Sequence, residues 1–271
     1  MRVGVVGAGG RMGREVCRAV LARPGLELVA AVDPGHVGAD VAALTGTPGP
    51  AFVVSDGLDS LVDAGAEVVV DFSRLDVARR SVAFCADAGI HTVVGTTGFT
   101  EEDLAELGRR FDPASGARAN CVLAANFAIG AVLMMRFAAL AAPWFDAAEV
   151  IELHHEGKRD APSGTSLRTA EAMAAARRAA GRGDFLPDAT SEVVVEGARG
   201  GSGPGGIRLH SVRLPGLVAH QEVLFGAPGQ GLTMRHDSYD RASFMDGVVL
   251  AVESVADRPG LTVGIETLLG I

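Results

Sequence analysis

A glycine-rich turn between an apolar strand and a helix constrains the fold of this chain more than any other feature. The chain opens with MRVGVVGAGGRMGREVCRAVLARPGLELVAAVD. Residues 3–6 predict a buried strand, residues 14–22 a helix that a Pro-Gly pair ends, and residues 26–32 a second strand that ends at Asp33. Strand, glycine turn, helix and strand in this order are typical of a dinucleotide-binding βαβ unit.

The turn and the acid predict where a dinucleotide would be held. Glycine lets the backbone approach a ligand closely, and a helix start presents N–H groups to a phosphate. Asp33 follows Gly13 by about 20 residues, the spacing at which an acid meets a ribose hydroxyl. A tight turn without a ligand is the alternative, which the surrounding pattern disfavours. The predicted cofactor contacts here are Gly7, Ala8, Gly9, Gly10, Arg11, Met12 and Asp33.

The same alternation continues to about residue 127. AEVVVDFS, IHTVVGTTGF and NCVLAANFAIGA indicate strands, and DVARRSVAFCADAG and EEDLAELGRRF indicate the helices between them. We therefore predict an α/β fold with a Rossmann-type, doubly wound parallel sheet. Ligands of such sheets bind beyond the carboxyl ends of the strands. The cofactor residues predicted at those ends are Gly95, Thr96, Thr97, Ala124, Ala125, Asn126 and Phe127.

The second half of the chain has a different pattern. A long apolar helix (FAIGAVLMMRFAALAAPWF) precedes a strand (AAEVIELHH) and a further helix (SLRTAEAMAAARRAA). A glycine-rich stretch then indicates loops between antiparallel strands, IRLHSVRL, LVAHQEVLFG and GLTMRHDS, whose alternation predicts a sheet with one exposed face. DRASFMDGVVLAVESVA predicts a last helix, with Ser238 or Asp240 as its cap.

The segment ELHHEGKRDAPSGT concentrates groups that carry chemistry. In a strand, His154 and His155 would face opposite sides, so both can serve one site only if the strand ends there. Lys158 follows on a loop, and the N–H groups of Gly164 and Thr165 open a helix where an anion can bind. The segment thus predicts imidazoles for proton transfer beside a binding site for a carboxylate or phosphate. A metal site, or a histidine pair that only caps carbonyl groups, is the alternative.

Charge and cysteine content exclude several classes of protein. The net charge of −9 disfavours a nucleic-acid partner, because phosphate binding needs clustered positive charge. Three dispersed cysteines without a CxxC pair predict buried apolar side chains, and neither a disulfide framework nor a metal site. No secretory signal is visible, and no apolar stretch approaches the roughly 20 residues of a membrane span. We expect a cytoplasmic protein whose partner is a small molecule.

The segment ELHHEGKRDAPSGT resembles the signature of the dihydrodipicolinate reductases, also called 4-hydroxy-tetrahydrodipicolinate reductases, of lysine and diaminopimelate biosynthesis. VGVVGAGGRMG, VVGTTGF and AANFAIG resemble the cofactor motifs of the same family, in the same order. The resemblance implies NAD(P)H-dependent reduction of 4-hydroxy-tetrahydrodipicolinate to tetrahydrodipicolinate. It implies acid–base chemistry for His154 and proton donation by Lys158. His155, Gly164 and Thr165 would hold the substrate, a cyclic dicarboxylate.

The resemblance also implies the domain organisation. Residues 1–127 would form the dinucleotide-binding domain, which the C-terminal helix within residues 238–271 would rejoin. Residues 128–237 would form an α+β domain for substrate binding and oligomerisation, assembled as a homotetramer.

Cofactor preference depends on one departure from the family pattern. Some members carry a basic residue directly after the acid that ends the second strand, where it receives the 2′-phosphate of NADP. Pro34 occupies that position here, although Arg11 or Arg14 could substitute. We expect NADH to be used at least as well as NADPH.

Two other functions stay open at this point. Another amino-acid or sugar dehydrogenase of this architecture would share the first half but would not need the HH…K…PSGT set. A nicotinamide-sensing regulator would need a basic DNA-binding element, which neither half shows.

Overall fold

The computed structural model describes residues 1–271, which form two compact units. The first unit contains residues 1–127 and 244–271, and the second contains residues 128–243. Residues 238–243, which we predicted to belong with the C-terminal helix, are part of the second unit. The reason is local: Ser238 pairs with Ala219 at the end of a strand, and the Ser243 hydroxyl lies 3.0 Å from the Ser238 hydroxyl.

Eleven strands form the two sheets, one in each unit. They are β1 (Arg2–Val6), β2 (Glu27–Val32), β3 (Val68–Asp71), β4 (His91–Val94), β5 (Cys121–Leu123), β6 (Ala147–His154), β7 (Gly201–Ser202), β8 (Arg208–Arg213), β9 (Ala219–Ala227), β10 (Gln230–Ser238) and β11 (Leu261–Val263).

Eight α-helices accompany them, together with short 3₁₀ turns. They are α1 (Arg11–Ala22), α2 (Val41–Thr45), α3 (Asp59–Asp63), α4 (Leu75–Ala88), α5 (Glu101–Arg110), α6 (Ile129–Ala141), α7 (Gly164–Ala179) and α8 (Met245–Ser254). The last helix therefore begins later than predicted, because residues 241–244 form a 3₁₀ turn before it.

The first unit confirms the predicted doubly wound parallel sheet. Its strand order is β11-β5-β4-β3-β1-β2, and every pairing is parallel. The central strands are buried along most of their length, as their runs of valine predict for a sheet covered by helices on both faces. Burial of each such side chain contributes roughly 1.5–3 kcal/mol. The edge strand β11 was not predicted, because three residues are too short to show a period.

The second unit has a mixed sheet whose strand pairing was predicted only in part. Its sheet has the order β10-β9-β6-β8-β7, in which β9 is antiparallel to both of its neighbours. The predicted antiparallel pairing of β9 with β10 is present, whereas β8 pairs with β6, to which it runs parallel, and that pairing was not predicted. Alternation along a strand reveals which face is buried, but not the direction in which the strand meets a neighbour that is distant in sequence.

One face of the second sheet carries the core of its unit. Val150 on β6, Leu209 on β8 and Val223 on β9 are neighbours in register and lie in one apolar cluster with Met173 of α7 and Met134 of α6. Towards the carboxyl end of β6 the same face becomes polar, with Glu152 and then His154. This change from apolar to polar side chains is where the candidate site lies.

Candidate active site

The glycine turn of the first unit is packed too closely against its neighbours to accept side chains. Gly7 has φ +80°, and a Cβ there would lie 2.9 Å from the Phe72 carbonyl oxygen. A Cβ on Gly13 would lie 2.0 Å from the Gly7 carbonyl oxygen, so the start of α1 packs directly on the turn. Only glycine fits at both positions.

The turn uses most of its own N–H groups and leaves those of the helix start. The N–H groups of Gly7 and Ala8 donate to the Val32 carbonyl, at 2.8 and 3.3 Å, and Gly10 donates to Gly7 at 3.0 Å. α1 begins at Arg11 without a capping side chain. The N–H groups of the first helical turn, which includes the predicted Arg11 and Met12, are therefore the donors suited to a phosphate.

A cavity of about 720 Å³ lies against this turn. Its lining includes the predicted Gly7, Gly10 and Asp33. This set fits a nucleotide cofactor, because glycine backbone lets a phosphate approach closely and an acid can accept a ribose hydroxyl. Part of this lining was not predicted from the sequence. Phe72 and Ser73 were expected at this edge as the end of a predicted strand, whereas Arg74, Asp76, Val77 and Arg80 had not been assigned.

Asp33 is held in place by neighbours on both sides. Its carboxylate accepts the N–H groups of Gly9 and Gly35, each at 2.9 Å, and lies 3.1 Å from Nδ1 of His36. Burial raises the pKa of this carboxyl, but the hydrogen bonds from His36, Gly35 and Gly9 outweigh it and lower the pKa. Asp33 therefore stays ionised as an acceptor. Arg14 lies 3.3 Å from the other nitrogen of His36, close to this acid.

The predicted strand-end residues of the first unit differ in their contacts and in their burial. Thr96 is buried, and its hydroxyl donates to Asp71 at 3.0 Å and to the Ser73 carbonyl at 3.1 Å, so it fixes the loop. Gly95 lies so close to Phe72 that a Cβ would overlap the ring. Phe127 packs on the same ring, with centroids 5.8 Å apart. The other predicted residues are Thr97, which is exposed, Ala124, which is buried, and the half-buried Ala125 and Asn126.

In the second unit, β6 ends at His154. This is the condition under which His154 and His155 can both serve one site. Nδ1 of His154 lies 2.5 Å from a carboxylate oxygen of Glu152, a side chain that is only 1% exposed. Arg213 donates two hydrogen bonds to the same carboxylate, at 2.8 and 2.7 Å, and the backbone N–H of Ser163 donates a further one at 3.2 Å. Glu152 therefore joins the ends of β6 and β8 to the start of α7.

The Glu152 carboxyl is ionised because its partners outweigh its burial. Burial alone raises its pKa, but hydrogen bonds from His154, Arg213 and Ser211 lower it to about 2. The guanidinium of Arg213 is in turn stabilised by this carboxylate, which raises its pKa. Neither residue was predicted as part of the site, because strand position alone does not distinguish a buried glutamate from an exposed one.

The loop after β6 carries the predicted lysine. Nζ of Lys158 contacts both carboxylate oxygens of Asp160, at 2.8 and 3.0 Å, and this contact is the largest cause of the lowered pKa of Asp160. Arg213 also donates to the Asp160 carbonyl at 2.6 Å, which ties the loop to β8. His155 is half-buried and immediately follows the strand.

The helix start predicted as an anion site is present. Ser163 caps α7 by accepting the Ser166 N–H at 3.2 Å, and Gly164 and Thr165 are the first two residues of the helix. α7 is 16 residues long, so its N-terminus carries a substantial partial positive charge. His154, Lys158 and this helix start are linked through the hydrogen bonds of Glu152, Asp160 and Arg213.

Several of the remaining histidines have structural partners. His91 accepts the Asn120 N–H at 2.9 Å, and His220 lies 2.7 Å from Asp237. The three cysteines are buried, as predicted. No group of three or more His, Cys, Asp or Glu side chains is placed to hold a metal ion. No helix is both long enough and apolar enough to cross a membrane.

A doubly wound parallel sheet with a cavity against its glycine turn, together with a second unit built on a mixed sheet, is the architecture of a Rossmann-type oxidoreductase. The family models for the N-terminus and the C-terminus of dihydrodipicolinate reductase match residues 1–127 and 130–269. The chain therefore belongs to the dihydrodipicolinate reductase family. Curated relatives named 4-hydroxy-tetrahydrodipicolinate reductase include those of Nocardia farcinica and Corynebacterium urealyticum, 51% and 48% identical. Each alignment covers 100% of this chain and 99% of the relative.

Solved structures agree with this assignment. The dipicolinate-bound dihydrodipicolinate reductase from Paenisporosarcina sp. TG-14 is 39% identical, with a TM-score of 0.84 and 98% of each chain covered. An amine dehydrogenase from Mycobacterium smegmatis has a TM-score of 0.64 at 18% identity, covering 97% of this chain and 94% of its own. At that identity only the fold is shared.

Proposed function

We propose that this protein reduces 4-hydroxy-tetrahydrodipicolinate to tetrahydrodipicolinate with NADH or NADPH, in diaminopimelate and lysine biosynthesis. The observation that carries the proposal is the cluster at the end of β6, where His154, Lys158 and the start of α7 share one hydrogen-bond network. The Paenisporosarcina reductase binds dipicolinate, a planar ring with two carboxylates, and a ligand of this kind suits such a cluster.

Two carboxylates need two sets of donors, and the second unit supplies them. The N–H groups of Gly164 and Thr165 and the ammonium of Lys158 bind one carboxylate, with the helix dipole adding to the attraction. His155 binds the other. Asp160 holds the ammonium of Lys158 before substrate binds, because its carboxylate contacts Nζ at 2.8 Å.

The reaction takes up one hydride and one proton and releases one water, so the protein must deliver a proton. His154 and Lys158 are the groups for this role. The Glu152 carboxylate lies against Nδ1 of His154, which leaves Nε2 to exchange a proton with the substrate. Lys158 carries protons of its own and donates one to the ring or to the departing hydroxyl.

The first unit would hold the nicotinamide cofactor, which supplies the hydride when bound. Arg11 and Met12 at the start of α1 would bind its phosphates, and Asp33 would accept a ribose hydroxyl. Thr97, Asn126 and the other strand-end residues named above would line the nicotinamide. Asp33 favours NADH, and Arg11 or Arg14 offers charge to the 2′-phosphate of NADPH.

The proposal is tested by NAD(P)H oxidation with the condensation product of pyruvate and aspartate semialdehyde. Oxidation that depends on both precursors, with tetrahydrodipicolinate as the product, is the expected result. Oxidation with a sugar or an oxo acid, and none with the condensation product, would support a different dehydrogenase activity instead.

We also propose that the protein is a homotetramer assembled through the sheet of the second unit. On the face opposite the core, Ile151, Leu153 and Leu224 are half-buried apolar side chains in neighbouring strands. Light scattering at micromolar concentration should give the mass of four chains, and a monomer would refute the proposal. The cytoplasmic location stays a prediction.

A further inference from the structure

Glu152 is the most heavily bonded side chain of the candidate site, yet it is not one of the groups that would touch the substrate in the proposed function. Its carboxylate lies 2.5 Å from His154 Nδ1, accepts two hydrogen bonds from Arg213 and accepts the Ser163 N–H. His154 lies on β6, Arg213 lies on β8, and Ser163 is the residue that caps α7. A single buried carboxylate therefore holds a proton-transfer group and an anion-binding helix start together.

The chemistry of this contact fixes the state of the histidine. An ionised carboxylate only accepts hydrogen bonds, so the proton of a neutral His154 must lie on Nδ1. Nε2 is then the acceptor that takes up a proton, and the imidazolium so formed can deliver that proton from the nitrogen that faces away from Glu152. Free histidine in water favours the opposite tautomer, so the preference must come from the protein.

We propose that Glu152, clamped by Arg213, is a positioning residue that sets the tautomer of His154 and aligns it with the start of α7. This inference rests on the proposed function for its kinetic consequence, but not for its structural one. Glu152 is buried away from solvent, and Arg213 further ties the Lys158 loop to the cluster through the Asp160 carbonyl.

The same strand carries a matched control. Glu149 lies 2.7 Å from Nε2 of His210 and accepts a hydrogen bond from Arg199 at 2.5 Å, so it too binds one histidine and one arginine. It points to the opposite face of the sheet from Glu152, and its side chain is 30% exposed. Glu149→Gln therefore removes an equivalent charge from β6 without touching the candidate site.

The experiment compares Glu152→Gln with Glu149→Gln in steady-state kinetics. Glu152→Gln should lower kcat by about 10²-fold or more, the range for a disabled proton-transfer group, with the KM for NADH within about twofold of the wild type. Glu149→Gln should leave kcat within about twofold of the wild-type value, since it leaves the proton-transfer group intact. Arg213→Lys, which keeps the charge but loses the two-pronged contact, should lower kcat by about tenfold and serves if Glu152→Gln does not fold. Equal kcat in wild type and a folded Glu152→Gln or Arg213→Lys would overturn the inference.

A second readout does not depend on turnover. Ring-nitrogen NMR shifts of ¹⁵N-histidine-labelled protein report the tautomer, and the His154 signals are assigned by their loss in His154→Gln. The wild type should show His154 protonated on Nδ1 when neutral, and Glu152→Gln should move it towards Nε2, with Glu149→Gln having no effect. An unchanged tautomer in Glu152→Gln would overturn the inference. If the wild type does not reduce the proposed substrate, the proposed function fails while this spectrum still decides the role of Glu152.

Discussion

The two units present different parts of the chain at their candidate sites. In the first unit the candidate contacts are mostly backbone, shaped by Gly7, Gly13 and the uncapped start of α1. In the second unit they combine the start of α7 with the side chains of His154 and Lys158, which a hydrogen-bond network around Glu152 and Arg213 orders. A backbone cradle suits a ligand that many enzymes share, whereas a side-chain network can be specific for one reaction.

The largest expected effects fall on turnover and come from the second unit. His154→Gln and Lys158→Ala should each lower kcat by about 10²–10⁴, the usual cost of losing a proton-transfer group. The KM for NADH should change little, because both residues lie outside the unit that carries the nucleotide cavity. Near-normal kcat in either variant would remove that residue from the mechanism and weaken the division between the units.

The next effect concerns the two carboxylates of the substrate. Pyridine-2,6-dicarboxylate should inhibit competitively with the substrate, and pyridine-2-carboxylate should bind about tenfold to a hundredfold more weakly. A charge-assisted hydrogen bond is typically worth about 1.5–3 kcal/mol, which corresponds to that ratio. Inhibition constants for the two compounds measure it directly. Equal constants would mean that the site does not bind both carboxylates.

A smaller effect is expected for the choice of cofactor in the first unit. The ratio of kcat/KM for NADH to that for NADPH should be one or more, because Asp33 is ionised and Pro34 carries no charge. Pro34→Arg should lower this ratio by about tenfold, since it adds one charge-assisted contact to the 2′-phosphate. A strong preference of the wild type for NADPH would instead identify Arg11 or Arg14 as the phosphate partner, which Arg11→Ala and Arg14→Ala would distinguish.

The smallest effect is on acid stability, and it has a definite sign. The pKa of Glu152 falls to about 2 in the folded protein, below the ordinary value of 4.5. Its ionised form therefore stabilises the fold fully above pH 4.5, and this contribution is lost as the pH falls towards 2. Urea unfolding of wild type and Glu152→Gln should show a difference at pH 7 that shrinks below about pH 4. A difference that grows on acidification would contradict the assignment of Glu152 as a buried ionised acceptor.

The sequence predicted the first unit well because its signals are local. Val3, Val5 and Val6, the glycine turn and Asp33 lie within one short stretch, and each carries its structural meaning in its own neighbourhood. The short helices α2 and α3, of five residues each, and the three-residue β11 were not predicted, because they are too short to show a period.

The second unit was harder to predict because its contacts are distant in sequence. Its motif residues were identified from their residue types and spacing and given individual roles by the family resemblance, but the network that orders them was not predicted. Glu152 meets Ser163 across 11 positions and Arg213 across 61. Nothing in the alternation of β8 indicates that it runs parallel to β6, and only that direction brings Arg213 next to His154 in register.

The division of labour between the units is tested most directly by one pair of variants in one assay. Asp33→Ala removes the proposed ribose acceptor of the first unit, and Thr165→Val removes the hydroxyl beside the proposed carboxylate-binding N–H groups of the second. Steady-state kinetics give both the KM for NADH and the inhibition constant of pyridine-2,6-dicarboxylate. We expect Asp33→Ala to raise the KM for NADH by about tenfold with the inhibition constant little changed, and Thr165→Val to do the reverse. If Thr165→Val weakened NADH as much as the dicarboxylate, or Asp33→Ala weakened only the dicarboxylate, the account of a cofactor unit and a substrate unit would be contradicted.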